Sequence, residues 1–409
     1  MHNRTIPLLL AGQAISMAGD QLANVAFLWL ITSLTGSAAT LGIVMTALML
    51  PNIVFRLVGG VITDRFHKKL VLIVADLLRG TSIVLLALLV LSAHVNMGIF
   101  LLIAVCLGIG GALFTPAYNA TVPLLVGQDR LLRFNSALQA GNQGVGILVP
   151  ALAGVIIAAI GIPAALGIDG LSFLLSALSI LLLVLPRGDQ QVHQSFSVVG
   201  ELKSGLRIAF SHPTVCTLFI AIGMINFADA LVVIYPVHLK ETLGAGVIWY
   251  GMINASVMAG LFAINLLYIW KGKHVNLGSA FFIGALIEGL GVLTFGLSHS
   301  LFIAMLAFFL FGAGMAGFGT AATTIIQQEI DRAYLGRVFS LYGLFALSLM
   351  PLGYFVSSVL SSVLSTGTII ALAGILMILT AFWLLVQTMG LRQSQMRGNL
   401  DEHIQVPYK

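Results

Sequence analysis

Gly60-Val-Ile-Thr-Asp64-Arg65-Phe-His-Lys68-Lys69 joins two long apolar runs and sets one acid and three bases side by side. Each flanking run is long enough to cross a hydrocarbon core, which takes about 20 residues of helix. The charged stretch therefore sits at a membrane face. Gly59 and Gly60 let helix backbones approach closely. Asp64 stands where it can accept hydrogen bonds from a neighbouring helix N-terminus or pair with an arginine. A contact of that kind can form in one conformation and break in another, which makes Gly60, Asp64, Arg65, Lys68 and Lys69 gate candidates. The plainer reading is a basic loop that fixes topology, with Asp64 an ordinary helix-end residue.

Composition supports the membrane reading. The chain has 409 residues, 59% of them hydrophobic and 8% charged, against roughly 25% charged in soluble domains. Mean hydropathy is +1.06. The two cysteines, Cys106 and Cys216, both lie in apolar runs, which suggests neither a disulfide framework nor a zinc site. The first apolar run outlasts a signal-peptide core and carries Asp20 inside it, so no cleavable signal is read there.

Twelve spans are expected near 6–34, 40–62, 70–93, 97–118, 134–159, 163–185, 214–238, 247–270, 277–297, 301–325, 336–361 and 367–389. The expected fold is thus all-α and polytopic, with twelve transmembrane helices in two pseudo-symmetric six-helix bundles. Residues 1–185 form the first bundle, 186–212 a cytoplasmic linker, 213–389 the second bundle and 390–409 a cytoplasmic tail. Of the 19 Lys and Arg residues, only Lys240 falls in an alternate loop, and Arg56 and Arg79 lie within spans. All the others fall in the even-to-odd loops or the termini. The positive-inside rule then places both termini in the cytoplasm.

An internal repeat supports the division into halves. Asp20 precedes Gly42 by the same interval as Asp229 precedes Gly251. Gly108-Ile-Gly110 with Phe114 recurs as Gly312-Ala-Gly314 with Phe318, and Arg133-Phe-Asn-Ser136 as Arg337-Val-Phe-Ser340, all at one offset. Parallel halves of this kind hold substrate between them near the midplane. The repeat fails at the opening loop, where the second half has Trp270-Lys-Gly-Lys273-His and no acid.

Ionisable residues inside spans are costly and are functional candidates by default. Asp20 leads, because Gln13, Met17, Asp20 and Asn24 share one helical face. Low dielectric penalises the charged form of a carboxylate, so such an acid can load and release a proton. Asp229 is its repeat mate, with Asn226 beside it. Glu288 lies mid-way along the ninth span and reads as a helix–helix contact or a cation-binding acid. Arg56, Asp76 and Arg79 are read as partners of Asp64 in the gate, and Asp169 as an interfacial residue. The fifth span offers Gln139 and Asn142, then a Gly146, Pro150, Gly154 series that can bend the helix and let the first half pack closely. Phe27, Met45, Phe227, Tyr235, Met252 and Phe345 could line an apolar cavity, although packing or lipid contact is the commoner use of such side chains. Gly312-Ala-Gly314-Met-Ala-Gly317 fits a dinucleotide fingerprint but lies inside an apolar span with no strand before it, so helix packing is the better account. No ATP-binding loop or nucleophile–base constellation is present, and no histidine is assigned to a metal. Neither enzyme, ATP, nucleic acid nor organic cofactor is expected.

The opening stretch matches G-x3-D-R-x2-[KR]-[KR], and on this motif and the twelve spans the chain resembles the major facilitator superfamily. Phe114-Thr-Pro-Ala-Tyr118, Pro123-Leu-Leu-Val and Asn135, with the early Gly19-Asp20 pair, resemble its macrolide-efflux and enterobactin-exporter branch. The resemblance implies a proton-driven, monomeric exporter of bulky, partly apolar compounds in the cytoplasmic membrane. The Gly146–Pro150 spacing matches the antiporter motif of the family only in part, since no Gly directly precedes Pro150. The fourth span also lacks the arginine that many drug–proton antiporters carry, so Asp20 or Asp229 would have to supply the coupling. A lysophospholipid-type carrier or an uptake carrier is the alternative, and a non-transporting sensor is a third reading.

Overall fold

A computed structural model describes residues 2–126, 128–182, 207, 211–271, 275–330 and 334–404. Among them every regular element is helical. This follows from the solvent, since a chain crossing hydrocarbon must satisfy its backbone polar groups internally. The helices are α1 (His2–Thr35), α2 (Ala38–Arg65), α3 (Lys68–Leu91), α4 (Met97–Val126), α5 (Gln128–Ile160) and α6 (Ile162–Leu182). In the second half they are α7a (Pro213–Leu231), α7b (Tyr235–Glu241), α8 (Val247–Lys271), α9 (Leu277–Leu297) and α10 (Leu301–Glu329). The chain closes with α11a (Leu335–Ser348), α11b (Met350–Leu360) and α12 (Thr366–Ile404). They fall at all twelve expected places, and ten are long and apolar enough to cross a membrane on the described residues alone.

Two helices are interrupted where the sequence forces it. α7a passes through the 3-10 turn Val232–Ile234 before Pro236, and α11a stops at Ser348 before Pro351. Proline supplies no N–H and clashes with the preceding turn. Pro51 and Pro150, by contrast, are absorbed within α2 and α5. Gly36 and Gly161 take positive φ (57° and 82°), the left-handed conformation in which helices commonly end, and their N–H groups close α1 and α5.

Packing inside the two halves is the same. α1 lies on α5 and α6, α2 on α4, and α3 on α4 and α6. Correspondingly α7a lies on α11 and α12, α8 on α10, and α9 on α10 and α12. The glycines follow suit: Gly108 abuts the backbone of Leu48, and Gly312 that of Val257. Gly80 abuts Gly170, and Gly289 abuts Gly374.

The halves meet at α2–α11b and α5–α8. The repeat-mate glycines are the contact points. A β-carbon on Gly42 would come within 2.6 Å of the Tyr354 carbonyl, and one on Gly154 within 2.6 Å of the Val247 carbonyl and 3.0 Å of Gly251. Gly154 thus serves the seam between the halves, not close packing within the first half as its spacing suggests. Gly146 is looser, since a β-carbon there would meet nothing nearer than Gln21 Nε2 at 3.9 Å. Replacing Gly154 by Leu should destabilise the protein by about 1–3 kcal/mol through overpacking. Gly141, whose β-carbon direction is open within 4 Å, should accept Leu without loss. Thermal unfolding in detergent measures both; equal midpoints would refute the seam.

Candidate functional site

At the end of the molecule away from Lys68 and Lys69, one apolar core runs through both halves. It holds Leu22 to Ile31 of α1, Leu41 and Val44 of α2, then Ala228, Ile234, Tyr250, Ile253 and Ile369. Trp29 stacks on Tyr250 at 5.3 Å between ring centroids. Tyr235 OH donates to Asn254 at 3.0 Å beside them. Lys240 Nζ donates to the carbonyls of Thr32 and Ser33, both at 3.3 Å, a cation on the C-terminal turn of a helix from the opposite half. Ser358 Oγ and Thr46 Oγ1 add hydrogen bonds across the α2–α11b seam, to the Ala39 and Pro351 carbonyls.

At the basic end the described apolar core is divided. Val71, Leu72, Ala117, Val122, Val126 and Phe134 belong to the first half alone. Val215, Phe219, Phe281, Phe318, Ile326 and Leu341 belong to the second alone. Among the described residues the seam is therefore sealed by one core at the far end, and no core joins the halves at the basic end. The acids lie beyond the seal, near mid-depth.

Asp20 and Asn24 are exposed, and Gln13 and Met17 partly so, on the face of α1 that their spacing implies. Gly19 turns to α6, where a β-carbon would come within 2.6 Å of Asp169 Oδ1. Gln21 turns to Gly146 of α5. Phe27, on Asp20's strip, meets Phe100 of α4 edge-on at 6.1 Å. Asp20 hence faces the interior of the bundle, yet stays open to solvent.

Behind Asp20 lies a group of charges from two helices, α3 and α6. Arg79 of α3 pairs with fully buried Asp76 one turn earlier. Its guanidinium sits between two rings, 4.4 Å from Phe114 of α4 and 4.2 Å from Phe173 of α6, where cation–π attraction adds to the ion pair. The absence of a β-carbon at Gly110 leaves room for its stem. Asp169 of α6 is 2% exposed and accepts from Ser172 Oγ at 3.5 Å. Asp20 lies within electrostatic reach of Arg79, Asp76 and Asp169.

Several expectations change. Asp76 and Arg79 do pair, but their further neighbours are Asp20 and Asp169 in the bundle interior. Asp169 is not interfacial; it is buried behind Gly19. α4 carries no arginine, and Arg79 of α3 lies against α4 at Phe114. Glu288 is 1% exposed, lies at a helix–helix contact with Gly314, and is within electrostatic reach of Asp229. Arg56 is exposed. Asn226 Nδ2 donates to the Ile222 carbonyl of its own helix at 2.8 Å. Phe27, Tyr235 and Phe345 pack on Phe100, Tyr250 and Phe219, while Met252 is exposed. The side chains of Gly60, Asp64, Arg65, Gln139 and Asn142, and the linker apart from Arg207, Ser211 and His212, lie outside the described residues.

Two packed bundles with charges at mid-depth define a membrane transporter of small molecules. The sequence model of the Major Facilitator Superfamily matches residues 9–342, and the chain belongs to that family, whose members are transporters and not enzymes. It is 26% identical over 384 residues to macrolide efflux protein A of Streptococcus pyogenes, covering 91% of this chain and 93% of that one. It is 25% identical over 330 residues to the enterobactin exporter EntS of Escherichia coli O1:K1 / APEC, covering 80% and 78%. Among solved structures it is similar to a bacterial homologue of the iron transporter ferroportin (TM-score 0.74, 14% identity, 94% and 98% covered). The nucleoside transporter NupG is another (TM-score 0.71, 12% identity, 95% and 99% covered).

Breaking the Asp76–Arg79 pair on one side leaves a buried charge without its partner, at a cost of about 3–5 kcal/mol. Arg79→Gln should show that loss, and adding Asp76→Asn should recover at least half of it. A double-mutant cycle on unfolding midpoints measures the coupling; additive losses would refute it.

Proposed function

We propose that the protein is a secondary active exporter, driven by a proton gradient, of bulky and partly apolar compounds of the macrolide or siderophore type. The observation that carries the reading is the seam, sealed by one apolar core at the far end, with no core among the described residues joining the halves at the basic end beneath the exposed Asp20 strip. By the positive-inside rule the basic end faces the cytoplasm, so this is the state that loads from inside. Export then requires the Lys240 and Trp29–Tyr250 contacts to open while the basic end closes, with the two bundles rocking about the site. Asp64 with Arg65, Lys68 and Lys69 is the latch of that closed inner end.

Asp20 is the group that exchanges protons for substrate. It is reachable from the open side, and Arg79 lies behind it, held by Asp76 and two rings. Deprotonated Asp20 gains from Arg79, and protonated Asp20 releases the guanidinium to Asp76 and Asp169. Exposed Asn24 and Met252, with partly exposed Met17, offer an amide and soft apolar surface, suited to an amphiphilic ligand. The macrolide and enterobactin relatives support this substrate class and the direction of transport.

In proteoliposomes loaded with a pH gradient, erythromycin transport should follow the gradient in the wild type. Asp20→Asn should retain binding and lose that dependence, and Asp64→Asn should insert normally but transport more slowly. An Asp20→Asn protein with unchanged pH dependence would refute the coupling role. Flux of labelled lysophospholipid without macrolide flux would replace the substrate class.

A further inference from the structure

The two halves correspond residue by residue beyond the glycines. The offset that carries Asp20 to Asp229 also carries Gly42 to Gly251, Leu48 to Val257 and Gly80 to Gly289, pairs that make matching packing contacts. It carries Arg79 to Glu288 as well. The glycines beneath these two side chains match too, Gly110 lying against Arg79 and Gly314 against Glu288. The second bundle thus holds a carboxylate where the first holds a guanidinium, each within electrostatic reach of the aspartate of its leading helix.

Among the described side chains nothing in the second bundle balances that change. Glu288 is 1% exposed, and its Oε2 has no hydrogen-bond partner; neither does the buried Oδ1 of Asp229. α7a is packed by α11 and α12, and α9 by α10 and α12. Among the described side chains of those helices the titratable groups are Tyr342 and Tyr354, with Tyr334 and Glu329 at helix ends, and no Lys, Arg or His. Of these, Tyr354 is the one on which Asp229 bears. On α7b, Lys240 caps α1 and His238 Nδ1 meets Thr366 Oγ1 at 3.1 Å, both at the sealed end. Two carboxylates desolvated together without a base cannot both stay ionised. A divalent metal would ask for about six oxygen ligands, and no group of three or more His, Cys, Asp or Glu suited to a metal occurs among the described residues. One proton suffices: it removes the repulsion, and the new O–H donates to the facing carboxylate.

We propose that Asp229 and Glu288 form a second proton-binding site, one proton shared between two carboxylates, at the place where the first bundle uses Arg79. Loading makes one O–H bond at a carboxylate oxygen, with the proton taken from hydronium in the cleft; release returns it to water. The 3-10 break just after Asp229 puts a discontinuous helix beside the site, the arrangement by which transporters bring ions to mid-membrane. The part this site plays in transport rests on the exchanger reading above, whereas its existence does not.

Infrared difference spectroscopy of the full-length protein in nanodiscs, titrated from alkaline to acid, reads protonated carboxyl groups directly. The expected result is a protonated-carboxyl band at neutral pH that Asp229→Asn and Glu288→Gln each shift in frequency, since the acid left behind stays desolvated, that the double substitution removes, and that Asp20→Asn leaves in place. Glu288→Arg restores the charge pattern of the first bundle. It should also abolish the band, and it should fold with an unfolding midpoint at neutral pH no lower than that of wild type. A band unchanged by the substitutions at Asp229 and Glu288 would overturn the proposal. So would sodium- or lithium-dependent thermal stabilisation of the wild type that Glu288→Gln removes, since that would make the occupant a metal ion. Transport enters none of these readouts, so a failed flux assay with an intact band would reject the exchanger and keep the site.

Discussion

Backbone-to-backbone contact at a few glycines holds the two halves in register. Gly42 on Tyr354 and Gly154 on Gly251 bring helices of opposite halves closer than any side chain would allow. In lipid there is no hydrophobic gain in pairing one apolar helix with another, so such approach, with its dispersion contacts, is what makes association favourable. The aromatic seal of Trp29 and Tyr250 and the Lys240 cap follow from it, because each needs the facing helix at that distance. Among the described residues the hydrogen bonds that span the seam are directed at backbone carbonyls. A seal of this kind can be undone without stranding a buried charge.

The interior charges obey the opposite logic. In the first half Arg79 is fixed by an ion pair, two rings and the space above Gly110, leaving Asp20 as the member open to the cleft. A rigid cation beside an accessible acid makes the protonation of that acid an electrostatic event felt through α1, α3 and α6. The second half keeps the leading aspartate and discards the cation. Two bundles with one packing plan therefore carry different side-chain charges at matching positions.

Most of the fold is legible in the sequence because hydrocarbon leaves the chain few options. Twenty-residue apolar runs must become helices, and the repeat announces the halves, whereas the places where they touch emerge only in the structure, since Gly154 reads as packing within the first half. The site is legible only where a single helix carries the pattern, as Gln13, Met17, Asp20 and Asn24 do. Asp169 misleads because its position near a span end reads as interfacial, whereas the close approach at Gly19 draws it into the interior. Glu288 reads as a helix–helix contact from its own span alone, and its backbone does lie close against Gly314. The offset that relates Arg79 to Glu288 is present in the sequence, and it exposes the pairing once it is followed from the glycines to the charges.

The central claim is that the two bundles rock, so that one end of the seam opens as the other closes. Double electron–electron resonance on spin labels at Leu34 and Thr242, across the sealed end, and at Phe66 and Lys271, across the basic end, tests it most directly. On adding macrolide and changing pH, the account predicts that the first distance lengthens while the second shortens in the same population. Two distances that stay fixed, or that move in the same direction, would contradict it.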